Sequence, residues 1–182
     1  MSTKTSWRLL GIAAVALIVV IGPGLLREAS AGHAACGAVL GPGGSHVLDS
    51  NVGPCPGTAL TLIGPVTLDM RGRTVSCGGG SIGIDISGRG VQLRNGTVRD
   101  CAIGVFVFGT LLLGDRNVLT RNDTEFGETG YDVQGLLNIL SINHADGHAT
   151  AYHLRPGAHR TVVRSNAVGT TAPAPGFSSS RT

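Results

Sequence analysis

The feature that most constrains this chain is a short apolar–variable–apolar segment that recurs five times, each copy running into a glycine. The copies are Leu60-Thr61-Leu62-Ile63-Gly64, Ile84-Asp85-Ile86-Ser87-Gly88, Val105-Phe106-Val107-Phe108-Gly109 and Tyr131-Asp132-Val133-Gln134-Gly135. The last, Tyr152-His153-Leu154-Arg155-Pro156-Gly157, is one residue longer. Their glycines lie 24, 21, 26 and 22 residues apart. Strict alternation is the period of a strand with one buried face. A second motif keeps the same step: Val75, Val98, Leu119, Leu140 and Val163 read as equivalent, at intervals of 23, 21, 21 and 23. Val66–Leu68, Val91–Leu93 and Leu111–Leu113 supply a further strand per repeat.

Several short strands per repeat, with glycine at the corners, predict a solenoid whose coils stack about 4.8 Å apart. The fixed leucine frame of leucine-rich repeats is absent. The chain therefore reads as all-β, a parallel β-helix of about five coils, right-handed by the general preference of parallel crossovers. Its 29 glycines agree, because helix-interior glycine costs about 1 kcal/mol each and no helical pattern competes. The expected organisation is a signal peptide over 1–31, an N-terminal cap over 32–58, repeats over 59–169 and a low-complexity tail over 170–182.

The N-terminus carries an export layout. Lys4 and Arg8 precede the apolar run Leu9 to Ile21, and Ala29-Ser30-Ala31 offers small residues for cleavage after Ala31. That run of 13 residues is shorter than the roughly 18–20 that span a bilayer. A membrane link follows only if the segment stays uncleaved. The expected address is secreted, periplasmic or cell surface. Cleavage leaves 11 arginines, no lysine and 10 acids, a balance that excludes a non-specific nucleic-acid binder. Four cysteines in an exported chain suggest two disulfides. Of three pairings, Cys36–Cys55 and Cys77–Cys101 join nearest neighbours in sequence.

The pattern resembles exported right-handed parallel β-helix proteins of the pectate-lyase-like superfamily. The resemblance runs from about Cys36 to Gly169. Val66-Thr67-Leu68-Asp69-Met70-Arg71-Gly72-Arg73-Thr74-Val75 and Val91-Gln92-Leu93-Arg94-Asn95-Gly96-Thr97-Val98 carry it, with the Asn117/Asn122 and Asn138/Asn143 steps. Cys36-Gly37 with Cys55-Pro56-Gly57 looks like the capping turn of that group. Stacking accounts for much of the polar sequence. Asp69 should meet Arg94, Asp100 should meet Arg121, and Asn122, Asn143 and Asn166 should form a ladder with Cys101 one coil above.

The resemblance makes the outward column of the first strand (Thr61, Asp85, Phe106, Asp132, His153) the place to look for a cleft. Asp85, Asp132 and His153 are the candidate catalytic groups, two carboxylates about two strand spacings apart with an imidazole beside one. Phe106, Tyr131 and Tyr152 are candidate sugar-binding rings. The Asn-Thr-Asp, Asp-Asp, Gly-His-Gly and Arg-x-Lys motifs of polygalacturonases are missing, and Trp7, the only tryptophan, lies in the leader. The leading expectation is a non-catalytic binding or surface scaffold facing polysaccharide, requiring no cofactor. The alternative is a polysaccharide lyase, hydrolase or epimerase. A third reading is a metal-binding accessory protein using His144, Asp146 and His148, for which zinc or copper suits the donors; calcium would accompany a lyase. The 26-residue interval reads as an acidic loop, Asn122 to Thr129, bulging from the third coil. The tail offers no evident C-terminal cap, so the last coil is expected to pack on a partner or on another copy.

Overall fold

The computed structural model describes residues 30–109, 115–169 and 178–179, with 30–32 and 178–179 as backbone alone. Leu111–Leu113 and most of the leader and tail lie outside the described residues. All regular structure among the described residues is β, wound as a parallel solenoid of about five turns.

Three columns of strands form its walls. The first holds β2 (Ala38–Leu40), β5 (Leu60–Ile63), β8 (Ile82–Ser87), β10 (Ile103–Phe108), the ends of two long strands, β11 (Val118–Val133) and β13 (His144–Leu154), and β16 (Ser178–Ser179). The second holds β1 (Ser30–Gly32), β3 (Ser45–Leu48), β6 (Thr67–Asp69), the starts of β9 (Gln92–Arg99) and β11, β12 (Ile139–Ser141) and β14 (Val162–Arg164). The third holds β4 (Val52–Cys55), β7 (Thr74–Cys77), the rest of β9, the middle of β11, the start of β13 and β15 (Ala167–Val168). Every pairing is parallel.

The first column keeps the register read from sequence. Val39, Thr61, Asp85, Phe106, Asp132 and His153 lie side by side, facing out, and the backbone of Ser178 pairs with His153 at the end of the column. Their neighbours Leu60, Leu62, Ile84, Ile86, Val105, Val107, Tyr131, Val133 and Tyr152 are fully buried. The expected cap is itself a winding, since β2, β3 and β4 pair in parallel with β5, β6 and β7. Its short, glycine- and proline-rich strands obscure the repeat.

The second motif needs correction, because it merges two columns. Leu68, Leu93, Leu119, Leu140 and Val163 form one, whereas Val75, Val98, Thr124, Ala145 and Val168 form the other. Val98 therefore pairs with Thr124, and Leu119 with Leu93. The extra residues do not bulge at Asn122 to Thr129, which lies within β11. They fall earlier: Phe106 and Leu119 are 13 residues apart, but Asp132 and Leu140 only 8. Asp100 consequently stands opposite the coil at Glu125, whose carbonyl accepts its N–H at 3.0 Å, and its carboxylate meets Arg99 at 3.5 Å rather than Arg121. The Asp69–Arg94 pair does form, at 3.1 Å.

Corners repeat as the walls do. Asn95, Arg121, Ile142 and Ser165 adopt φ of 52–59°, and Arg116, Leu137 and Arg160 adopt φ of 49–61°. Left-handed backbone costs a non-glycine residue about 1 kcal/mol or more. An asparagine follows at Asn122, Asn143 and Asn166, and at Asn117 and Asn138. The Asn122 N–H donates to Asn143 Oδ1 at 3.0 Å and the Asn143 N–H to Asn166 Oδ1 at 2.7 Å. The Asn117 N–H likewise donates to Asn138 Oδ1 at 3.2 Å. Gly96, not Cys101, stands above Asn122. There, a Cβ would run into Met70.

Lower coils carry larger interior rings. Tyr131 and Tyr152 stack with centroids 5.0 Å apart and planes 6° from parallel. Their hydroxyls donate to the Asn122 and Asn143 carbonyls at 2.7 and 3.0 Å. Thr124 and Ala145 stand where the upper coils have valine, which makes room for these rings. Both disulfides form, Cys36–Cys55 near the N-terminal end and Cys77–Cys101 between adjacent coils, with Cα atoms 5.4 and 4.9 Å apart. Such bonds fit an oxidising compartment.

Candidate functional site

The outward column of the first sheet gathers the site's side chains because strand alternation leaves every second residue facing solvent. Asp132 is the centre of the cluster and is 3% exposed. Arg155, two residues beyond His153 and therefore outward too, reaches back to grip it. Its Nε donates to Oδ1 at 2.8 Å and its Nη2 to Oδ2 at 2.6 Å, a bidentate pair. His153 Nδ1 lies 3.3 Å from the same Oδ1. The guanidinium also lies over the Phe106 ring, 5.0 Å from its centroid. Phe108, two residues on from Phe106, extends the aromatic surface at 6.2 Å between centroids and is 47% exposed.

Asp85 lies beside Phe106 on the other side, in register with it. Burial raises its carboxyl above the ordinary carboxylate range. The structure thus brings Asp132 and His153 together and leaves Asp85 two strand positions away, with Phe106 between. Both oxygens of Asp132 are already engaged, which leaves it poorly placed to activate water.

The aromatic candidates divide. Phe106 stays at the surface, whereas Tyr131 and Tyr152 are turned inward and fully buried, so they belong to the core and not to a binding surface. Burial pushes both phenols upward in pKa. The sequence reading missed Arg155 and Phe108. Period-two alternation carried that signal, since each lies two residues beyond a position already assigned outward.

His144, Asp146 and His148 do not converge. His144 and Asp146 share the outer face of β13, in register with Asp123 and Glu125. Gly147 turns the chain at φ 67°, and His148 passes inside, 2% exposed. Among the described residues no three His, Cys, Asp or Glu side chains are grouped to hold a metal ion. Both ring nitrogens of His148 lack a well-formed hydrogen bond, and burial lowers its pKa despite the nearby Thr124 and Gly127 backbone. A shallow cleft of about 470 Å³ lies at the third corner, lined by Cys77, Gly79, Asp100, Phe126 and Glu128 among others. None of the candidate site residues lines it.

Compared with known proteins, the chain matches no protein-family model, no curated protein and no solved structure.

Proposed function

We propose that this is an exported, non-catalytic β-solenoid, pectate-lyase-like in kind, that binds glycans on the outer face of its first sheet. The observation that carries this reading is the engagement of Asp132. A carboxylate held by a bidentate arginine and a histidine is a positioning group, not a free acid or base. What it positions is a rigid polar–aromatic patch. Phe108 offers a ring face to a sugar, Phe106 underlies the guanidinium, and Asp85, His153 and Arg155 present hydrogen-bonding groups around them.

The catalytic alternative has one observation in its favour, the raised pKa of Asp85, which suits a general acid. One experiment separates the two. The mature protein is screened on neutral and acidic polysaccharides for binding and for cleavage. Binding without turnover, weakened at least about tenfold by Phe108→Ala with unchanged thermal unfolding, is the expected result. Turnover abolished by Asp132→Asn or Asp85→Asn would replace the scaffold with an enzyme.

A further inference from the structure

Among the described residues neither end of the solenoid is fully covered, and the two ends are unlike each other. At the first winding Ala38, Leu40 and His46 occupy interior columns yet are only half-buried. They surround a cavity of about 100 Å³ lined also by His33, Ala34 and Leu48. At the last winding Leu154, Val163 and Val168 occupy the interior columns, the first two half-buried and the third exposed. Val168 is 37% exposed, although its equivalents Val98 and Ala145 are at 0% and 1%. Among the described residues β2 and β4 at one end, and β14 and β15 at the other, have a strand neighbour on one side only. Unpaired parallel edges over an apolar interior are a template for another chain.

Two further features say which chain. The winding leaves on the first sheet, where β16 covers the end of β13, and β2 is the free edge of that same sheet at the head. A copy placed below therefore continues the same winding. Its β2 falls beneath β16. The ends also differ in charge. Asp49 is the only formally charged side chain between Gly32 and Thr58, whereas no acid follows Asp146 and the last winding carries Arg155, Arg160 and Arg164. Tail-to-tail pairing would bring those arginines together and exchange parallel for antiparallel edges.

We infer that this chain assembles head to tail, the last winding of one copy seating on the first winding of the next. The contact is heterologous and does not close on itself, so growth continues beyond a dimer. It is independent of any glycan. The test is sedimentation velocity on the purified chain over a wide concentration range, with two blocked variants. Leu40→Lys places an inward charge at the head and Val168→Lys places one at the tail. The wild type is expected to sediment faster with concentration, without a plateau at the dimer. Each variant alone is expected to stay monomeric, and their equimolar mixture to form dimers and stop there. That mixed dimer also shows that both variants are folded. A wild type monomeric throughout overturns the inference. So does loss of association in Val168→Lys but not in Leu40→Lys, the signature of tail-to-tail pairing. Monomeric variants whose mixture also stays monomeric would overturn it when circular dichroism shows both folded.

Discussion

Asn143 answers a backbone problem created one coil away, at Arg121. Arg121 sits at φ 54°, which turns adjacent peptide groups into the interior where water cannot reach them. The side-chain oxygen of Asn143 accepts the Asn122 N–H, and its amide donates to the Leu119 carbonyl at 2.9 Å. Asn143→Ala strands both groups and is expected to cost about 2–4 kcal/mol in urea unfolding, where an exposed polar substitution costs little. His148 is the opposite case, a buried imidazole whose environment favours the neutral form. Its native pKa lies below its ordinary value near 6.5, so the unfolded chain takes up the proton first as pH falls. The stability that neutrality confers is complete above about pH 6.5 and is lost as pH drops from there toward the lowered native value. His148→Leu is expected to flatten the melting temperature over that window. An unchanged pH profile would show that the imidazole does not titrate with folding.

At the scale of elements, the glycine corner after each first-sheet strand is shaped by what fills it. Gly135 adopts φ 104°, and a Cβ there would run into the carboxylate of Asp115, which is 1% exposed and accepts the Leu136 N–H at 2.9 Å. Gly109 meets the same carboxylate. Gly135→Ala is expected to destabilise by more than about 2 kcal/mol, while Gly57→Ala, with open space around its Cβ, should be close to neutral. Calorimetry on the two variants makes the comparison. The glycine column was legible in the sequence because a corner recurs in phase with its strand. Asp115 as the reason for two of its members was not, because it lies 6 residues after one glycine and 20 before the other, off the period of the repeat.

For the whole molecule, stability passes from coil to coil, since each coil touches only its neighbours. The disulfides act on this chain of contacts near its N-terminal end. Cys77 and Cys101 are 24 residues apart, so replacing both with serine is expected to remove about 3 kcal/mol, with the Cys36–Cys55 pair, 19 apart, close behind. Thermal unfolding with and without reductant measures the sum.

Alternation and corners were determined by the sequence itself, because a strand's inside and outside repeat every two residues and need no knowledge of distant partners, whereas the choice among three disulfide pairings was settled by the fold. That was enough to place Asp85, Phe106, Asp132 and His153 on one outward column. Register in the middle coils belonged to the tertiary structure. Val98, Leu119 and Thr124 are interchangeable to a pattern of apolar residues, and only the pairing of β9 with β11 shows where the five extra residues fall. The same holds for Asp132. Its sequence neighbours leave it free, and only Arg155, folded back from 23 residues away in the next coil, makes it a clamped carboxylate. The physical reason is common to both. Local periodicity selects the face on which a side chain lies, but contacts one full coil away decide what it meets there.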